Sequence, residues 1–298
     1  MKGKTLLAIA CAAVMLMAAC TKDGVYNPSK KISRIYAAST YSYTSSYGSD
    51  SQQTPKHLTE FWHWDGSKLA SIDYYTASGS IDETYNFTYD GKRLTRIDCY
   101  AYNYYVEFTY DGNKLQKFDA YEGGVLDRTA TFTYDGSKLA KAEIMTTSKG
   151  AKNEKAIVRE ANIMNMIMPC FDKEAYVKNI ATKEARTYTI NYTWEGKNIS
   201  QEEQISGAAR AVYAYTYDEN TNPYQGFLLE DATLFSNKNN IVATTVTYTD
   251  PDGTETNNLT YNYTYDGKLP VMRTYTRTYT EENYSSTSTS MTYWEYED

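Results

Sequence analysis

Carboxylates recur along this chain at the same place after each of several turn signals, at Asp73, Asp98, Asp119 and Glu143. Two such groups beside a glycosidic bond could act as general acid and as nucleophile or base in glycoside hydrolysis. That chemistry needs two carboxyl groups in unlike environments, so that their pKa values separate. Because a repeat copies one environment around a sheet, we expect these four residues to be solvated strand positions. A glycan-active hydrolase using paired carboxylates stays the alternative function.

Other residues that could do chemistry lack partners in the sequence. The chain has two histidines, and His63 lies between Trp62 and Trp64, so in a strand it faces away from both. The motifs Gly-x-Ser-x-Gly and His-Glu-x-x-His are absent. Acidic residues in the segment 250–255 begin like a calcium loop, but the ligand series stops early, which favours a hairpin loop. We therefore predict no catalytic residue, no metal ion and no cofactor.

The composition of the 298 residues favours extended sheet. There are 32 tyrosines and only 6 prolines, and tyrosine is enriched in strands. The net charge is −7, from 30 basic and 37 acidic residues. The basic residues form no stripe, which excludes a nucleic-acid binder that tracks phosphates.

The N-terminus has the organisation of a bacterial secretion signal. Lys2 and Lys4 are followed by the apolar run 6–17 and then by two alanines directly before Cys20. This order resembles the lipobox of bacterial lipoproteins, in which the cysteine becomes the fatty-acylated N-terminus. The alternative cysteine, Cys11, would leave an apolar region too short for a signal peptide. We expect Cys20 to be the lipidation site.

This expectation divides the chain into three parts. Residues 1–19 are the lipoprotein signal peptide, 20–31 are the lipidated cysteine with a flexible tether, and 32–298 form a single domain. The residues Thr21, Lys22, Asp23 and Gly24 resemble the tag that carries Bacteroidota-type lipoproteins to the outer surface. We therefore expect a protein that is lipid-anchored at the outer membrane and exposed at the cell surface, with the anchor as its contact with the membrane.

A repeat organises the rest of the sequence. The segments 61–69, 87–94, 108–115 and 132–139 each combine an aromatic start, a Tyr-Asp-Gly or Trp-Asp-Gly centre and a closing Leu, and degenerate copies follow. Asp-Gly between two alternating runs is a hairpin turn, because Gly accepts a positive φ without steric cost. The predicted structural turn residues are Asp90, Gly91, Asp111, Gly112, Asp135 and Gly136.

Residues on either side of these turns alternate with a period of two, which is typical of antiparallel strands with one aromatic and one polar face. Tyr102, Tyr104 and Phe108 share one phase before a turn. After the turns, pairs such as Leu69 and Ile72 are three residues apart, which indicates a bulge or a late strand start. The fold class is therefore all-β: a large antiparallel meander of about sixteen strands that forms a closed or nearly closed barrel.

Two segments break the alternation. The residues 163–171 and 222–235 are apolar without a period of two, and the chain from Lys173 to Lys183 looks helical. A closed sheet of about sixteen strands leaves an interior too wide for its own side chains. We therefore interpret these short helical or irregular insertions as fillers of the barrel.

The tandem Tyr-Asp-Gly hairpins, the stretch from Tyr217 to Tyr224 and the Ser236–Ile241 stretch carry a resemblance. They resemble a Bacteroidota-type surface lipoprotein family of unknown function with a porin-like fold. The resemblance covers about residues 32–298 and implies a rolled antiparallel sheet or barrel. It implies no activity.

We do not expect this barrel to lie in lipid, since its nonpolar phase is mostly Tyr and its other phase carries Thr, Asn, Lys and Glu. The aromatic excess leaves two interpretations open. An exposed row, with Trp62, Trp64 and Trp194 as candidates, could stack on glycans. Regularly alternating Tyr more often forms the packed face of a sheet, which is the interpretation we favour.

The sequence leaves the pairing of Cys99 and Cys170 open, because their separation is unknown. Taken together, the residues predict a non-enzymatic binding or scaffold protein. Its partner would be a glycan or another envelope protein.

Overall fold

The structure is a computed structural model that describes residues 26, 28–147, 186–227, 237–251, 253–281 and 284–297. The predicted signal peptide, Cys20 and most of the tether lie outside these residues. The strands are β1 (Ile32–Ser45), β2 (Gly48–Asp65), β3 (Lys68–Tyr75), β4 (Ile81–Asp90), β5 (Arg93–Cys99), β6 (Tyr104–Asp111), β7 (Lys114–Glu122), β8 (Val125–Asp135), β9 (Lys138–Thr146), β10 (Arg186–Glu195), β11 (Asn198–Ser206), β12 (Ala209–Tyr217), β13 (Ile241–Asp250), β14 (Gly253–Asp266), β15 (Leu269–Glu281) and β16 (Tyr284–Tyr296).

These sixteen strands form one closed antiparallel barrel. Every strand pairs with its neighbours in the chain, and β1 pairs with β16 from Ile32 opposite Tyr296 to Ser45 opposite Tyr284. Closure removes the exposed edges that would otherwise pair with other chains. The predicted fold class is confirmed. No helix in the described part of the chain is long and apolar enough to cross a membrane.

The barrel has two unlike rims. We call the first the tight-turn rim: it carries the turns at Gly66, Gly91, Gly112, Gly136, Gly196 and Gly267, the start of β1, the end of β16 and the residues 218–227 and 237–240. The opposite end, which we call the far rim, lies where the odd-numbered strands end and the following even-numbered strands begin. The long hairpin of β1 and β2 ends at the far rim.

A β-bulge follows each of several tight turns. In β3, Leu69 pairs with Trp64 and Ser71 pairs with His63, so Ala70 is the extra residue. The same shift recurs in β5, β7, β9 and β11. The bulge turns both Leu69 and Ile72 towards the core, where each is 1% exposed or less. The bulge predicted from the spacing of three is confirmed.

The buried residues form one cluster with members from strands around the whole barrel. Tyr224 and Phe227, from the connection after β12, are part of it. Phe227 lies with its ring centroid 5.0 Å from that of Trp62 and 6.1 Å from that of Phe87. The segment beginning at residue 222 therefore fills the barrel at this end, as its filler interpretation predicts. The residues 163–171, the segment 173–183 that looks helical in the sequence, and the residues 228–235 lie outside the described residues.

The prediction that Tyr102 belongs to the strand before the Asp111-Gly112 turn is wrong. A short 3-10 helix spans Tyr100–Tyr102, and Asn103 follows with φ 50°. A positive φ interrupts an extended chain, and Asn tolerates that conformation better than most residues. As a result, β6 begins at Tyr104.

The tight turns explain the repeated glycine. Asp90 pairs with Arg93 at the end of the β4–β5 ladder, so the loop consists of Gly91 and Lys92. Gly91, Gly112 and Gly136 have φ of 58°, 56° and 58°, and the residue after each has a negative φ. A glycine at the first loop position with this geometry is the type II′ hairpin turn.

We expect Gly136→Ala to lower the free energy of unfolding by about 1 kcal/mol or more, because alanine is strained at positive φ. A Cβ at this position meets no atom within 4 Å, so the effect reports backbone strain alone. Chemical denaturation of the parent and the variant measures it. Ser137→Ala, in the same turn, is the control and should leave the midpoint unchanged. If Gly136→Ala and Ser137→Ala have the same unfolding midpoint, the assigned turn geometry is contradicted.

Candidate functional site

The three tryptophans predicted as an aromatic binding face do not form one. Trp62 is 3% exposed and donates from Nε1 to Oε2 of Glu60 over 2.7 Å. Trp64 is half-buried and donates to the carbonyl of Ile32 over 2.8 Å. Trp194 lies on β10, eight strands away from β2 in a barrel of sixteen, which places it on the opposite wall. These side chains belong to the packed interior and its rim, as the favoured interpretation predicts.

Aromatic residues at the tight-turn rim share a hydrogen bond to the preceding strand. Tyr89 donates from its hydroxyl to the carbonyl of Leu69 over 3.0 Å. The same bond recurs from Tyr110 to Leu94, Tyr134 to Leu115, Trp194 to Leu139, Tyr217 to Ile199, Tyr263 to Ile241 and Tyr296 to Pro270. Burial raises the pKa of Tyr89 to about 12, so the donor stays protonated at neutral pH. The repeated Tyr therefore ties successive turns together.

Basic residues that follow the turns add a second link between repeats. Arg93 lies over the ring of Tyr110 at 4.8 Å and donates to the carbonyl of Gly112 over 2.7 Å. Lys114 repeats both contacts one hairpin further, with Tyr134 and Gly136. A cation over an aromatic ring is favourable by about 0.5–1 kcal/mol at exposed sites. These contacts give the Asp-Gly-x-Lys motif a structural role.

The repeated carboxylates lie on the outer face of the barrel. Asp73 sits between Ile72 and Tyr74, both of which point into the core, so its own side chain points outward. The outward carboxylates pair with cations: Asp98 with Arg96 at 2.7 Å, Asp119 with Lys117 at 2.8 Å and Glu143 with Lys141 at 2.7 Å. Ion pairs spaced along separate strands do not converge on one substrate position. The structure places them on the outer surface. The expectation of a solvated position is wrong for Asp98, which is only 8% exposed because Arg96 covers its carboxylate.

His63 has a partner that sequence reasoning missed. Its Nε2 lies 2.7 Å from Oδ2 of Asp73, and Thr84 donates to Oδ1 of the same carboxylate over 2.6 Å. A nucleophilic triad needs the histidine between the hydroxyl and the carboxylate. Here the carboxylate lies between the other two groups. The arrangement therefore does not activate Thr84, and it joins β2, β3 and β4 on the outer face.

The segment 250–255, whose acidic residues begin like a calcium loop, contains a hairpin turn. Oδ1 of Asp250 accepts a hydrogen bond from the backbone N–H of Gly253 over 3.0 Å, which is typical of a turn residue. Asp252 is outside the described residues. Within the described residues, no group of three or more His, Cys, Asp or Glu side chains is placed to hold a metal ion.

Two carboxylates lie inside the barrel, and sequence reasoning did not single them out. Glu60 and Glu83 are 3% and 4% exposed and both lie opposite Tyr74, on β2 and β4. Burial raises the pKa of Glu60 to about 7. Cys99, itself buried, lies with Sγ 3.5 Å from Oε2 of Glu83. The sequence could have indicated their burial, because each glutamate stands two residues before an aromatic residue of the core and therefore shares its inward face.

Because Cys170 is outside the described residues, its pairing with Cys99 stays an open expectation.

A second aromatic group lies near the far rim. Tyr41 and Tyr43 on β1 share the face of Ile35, which is in the core, and β1 pairs with β16 without a register shift between them. They therefore point to the inside of the barrel, as does Tyr284 on β16, opposite Ser45. The hydroxyls of Tyr41 and Tyr284 are 2.7 Å apart. The rings of Tyr43 and Tyr284 stack at 6.2 Å with an interplanar angle of 20°.

We call these three residues, Tyr41, Tyr43 and Tyr284, the tyrosine wall. In contrast to the buried Trp62, they are accessible: Tyr41 is 37% exposed, and the other two are partly buried. The hydrogen bond between Tyr284 and Tyr41 raises the pKa of Tyr41, so its hydroxyl remains a neutral donor and acceptor at physiological pH.

Polar side chains flank the tyrosine wall on the neighbouring strands. Tyr41 lies in one row with Ser288 and Gln52, and Ser288 continues the row to Arg277 on β15. Tyr43 lies in the next row, with Ser286 on one side and Asp50 on the other. The surface combines stacked aromatic rings with hydroxyl, amide, cationic and anionic groups. These are the groups that recognise a polyhydroxylated ligand.

Sequence reasoning missed the tyrosine wall because it ranked aromatic residues by size and by their place in the repeat. Tyr41 and Tyr43 lie in a run of serine and threonine outside the Tyr-Asp-Gly repeats. The available signal was two tyrosines in one phase of a strand whose other residues are small and polar.

A cavity at the tight-turn rim is too small for such a ligand. Its volume is about 30 Å³, and it lies between Tyr224, Arg273 and Trp294, with asparagines on its other side. Ligand pockets usually hold about 300 Å³ or more, whereas a few tens of Å³ suit one water molecule. Trp294 donates to the hydroxyl of Tyr224 over 2.7 Å at its wall.

Comparison with known proteins gives similarity at the level of structure. No protein-family model and no curated protein matches the sequence. A porin-like protein from Bacteroides uniformis ATCC 8492 is 10% identical with a TM-score of 0.48, covering 88% of this chain and 98% of that chain. A porin-like protein from Bacteroides vulgatus ATCC 8482 is 11% identical with a TM-score of 0.48, covering 90% and 99%.

Proposed function

We propose that this protein is a lipid-anchored envelope protein that binds glycans without cleaving them, at the outer membrane surface. The observation that carries the binding role is the tyrosine wall, an accessible group of stacked rings on the inner face of the barrel. Sugar rings present C–H faces that pack on tyrosine and hydroxyls that bond to the flanking polar side chains. Tyr26, Tyr224 and Phe227 fill the tight-turn end of the barrel, and the wall lies towards the far rim.

Two observations support a location outside the lipid. The outer face carries ion pairs on β5, β7 and β9, and a cationic side chain on a lipid-facing strand costs about 2–4 kcal/mol at the bilayer midplane. The ordered basic, apolar and small-residue regions before Cys20 support an acyl anchor instead. One acylated terminus holds a protein at a membrane without a spanning segment.

The placement of the carboxylates supports a non-enzymatic role. The outward acids are spread over separate ion pairs, as described above. The alternative function is a hydrolase, and the carboxylate pair that it would use is Glu60 and Glu83. Both glutamates are almost fully buried. Trp62 donates a hydrogen bond to Glu60, and Cys99 lies beside Glu83. Incubation of the protein with the glycan it binds, followed by assay of new reducing ends, separates the two functions. Release that is lost in Glu83→Gln would favour the hydrolase.

We expect the double variant Tyr41→Ala/Tyr43→Ala to bind its glycan at least about fivefold more weakly than the parent, because two rings that pack on the sugar contribute about 1–3 kcal/mol together. A glycan array identifies the strongest binder, and titration calorimetry with that oligosaccharide gives the affinities. Tyr47→Ala is the matched control, since Tyr47 is 99% exposed at the tip of the same hairpin. Equal affinity of parent and double variant, or no glycan bound by the parent, would reject the proposal.

We expect Cys20→Ala to move from the membrane fraction to the aqueous fraction, because the variant lacks the cysteine that carries the lipid. Metabolic labelling with a fatty-acid analogue and fractionation of the envelope measure both properties. Cys11→Ala is the control and should be labelled and fractionate as the parent does. A Cys20→Ala protein that remains acylated and membrane-bound would exclude this cysteine as the anchor.

A further inference from the structure

Tyr26, which precedes the barrel, is fixed inside it. The residue is 5% exposed and donates from its hydroxyl to the carbonyl of Pro223 over 2.6 Å. Its ring lies 5.6 Å from that of Trp64 and 5.1 Å from that of Phe227. Trp64 directly precedes the first tight turn, so Tyr26 is held at the tight-turn rim.

This attachment limits how far the barrel can stand from an anchor at Cys20. Cys20 precedes Tyr26 by 6 positions, and a chain of that length spans at most about 20 Å in any conformation. The far rim is more distant. The β2 strand has 18 residues and, at the usual rise and tilt of barrel strands, extends about 45 Å along the axis. Only one end of the barrel can therefore reach a membrane through this tether.

Charge does not supply a competing preference. Among the described residues, the tight-turn rim carries ten cations and nine acids: Lys30, Lys31, Lys68, Lys92, Arg93, Lys114, Lys138, Lys197, Lys238 and Lys268, and Asp65, Asp90, Asp111, Asp135, Glu195, Asp218, Glu219, Asp266 and Glu297. With both signs alternating, the rim has little net attraction to an anionic headgroup surface. The tether, rather than electrostatic attraction, is the feature that selects the face.

We propose that the tight-turn rim is the face that the protein presents to the phospholipid surface, and that Tyr26 fixes this orientation. The inference rests on the lipid anchor of the proposed function. It places the tyrosine wall at the end of the barrel that points away from the membrane. A glycan chain can then approach the wall without displacing lipid.

Energy transfer from the protein to the vesicle surface tests the orientation. The lipidated full chain is bound to phosphatidylcholine vesicles that carry an acceptor dye on a headgroup. A donor dye is placed on Ser137→Cys, at the tight-turn rim, or on Ser46→Cys, at the tip of the β1–β2 hairpin. The parent protein, treated in the same way, gives the background from the native cysteines. We expect several-fold more transfer from position 137, whereas equal or greater transfer from position 46 would overturn the proposal.

Two further variants separate the tether from its alternatives. Tyr26→Ala removes the contacts that hold the tether at the tight-turn rim, so the free tether lengthens to the 12 positions between Cys20 and Ile32. The difference in energy transfer between the two dye positions should then shrink, in a protein with an unchanged circular dichroism spectrum. A full difference in that variant would overturn the role of Tyr26. Adding phosphatidylglycerol should leave the transfer unchanged, and a dependence on anionic lipid would show orientation by charge instead. A parent protein that stays off the vesicles would reject the anchor itself, and with it the orientation.

Discussion

Replacing Glu60 by glutamine is expected to favour the folded protein more at pH 8 than at pH 4.5. Between these two pH values, the difference in unfolding free energy between the variant and the parent should shift by about 3 kcal/mol in favour of the variant. Glu60 is buried, and burial raises its pKa from 4.5 to about 7. The unfolded chain releases this proton near pH 4.5 and the folded protein retains it to about pH 7, so parent stability falls as the pH rises through that window. Glutamine does not titrate, and its carbonyl oxygen can still accept from Trp62.

Denaturation of the parent and Glu60→Gln across pH 4.5 to 8 measures this effect, and the difference between the two proteins cancels the titration of other groups. Tyr74 and Tyr224 face Glu60, and Glu83 lies across Tyr74. Glu143→Gln is the matched control, because Glu143 lies on the outer face beside Lys141. A Glu60→Gln difference that is constant over the whole pH range would show that the buried carboxyl does not titrate as described.

Truncating Phe227 to alanine is expected to lower the free energy of unfolding by about 3–5 kcal/mol. The side chain is 2% exposed and packs against Tyr26, Trp62 and Phe87. A cavity would remain, because the barrel wall around it is held by the strand ladder and cannot close in. The loss measures how much the segment that enters the barrel after β12 contributes to the core.

Val125→Ala provides the comparison for this second variant, since Val125 is a half-exposed apolar residue at the start of β8. Its loss should stay within about 0.5 kcal/mol, as for most surface positions. If Phe227→Ala costs no more than Val125→Ala, the entering segment does not stabilise the barrel, and the core is made by the strands alone.

The two ends of the barrel differ in how their tyrosines are used. At the tight-turn rim, hydroxyls are bonded to backbone carbonyls and rings lie under cations, as at Tyr110. Towards the far rim, the inward tyrosines bond to each other and remain accessible, as at Tyr41. One residue type thus supplies both the mechanical links of the repeat and the proposed binding surface.

The strands, the turns and the bulges could be predicted from the sequence, apart from the start of β6. These are local properties: Gly at the first loop position sets the turn, a period of two sets the faces, and the Leu69–Ile72 spacing can be satisfied only by an extra residue. The strand number followed from counting such units. Full closure was left open by the sequence, because the pairing of β1 with β16 joins residues from opposite ends of the chain.

The tertiary structure decided which aromatic residues are buried and which are accessible. Period two places Trp62 and Tyr41 on inward faces alike. Their exposure depends on depth along the barrel: Trp62 lies where Tyr26 and Phe227 fill the interior, and Tyr41 lies beyond that filling. The same long-range packing decided that Glu60 is desolvated and that His63 meets Asp73, because the groups concerned come together only when strands and connections distant in the chain pack against each other.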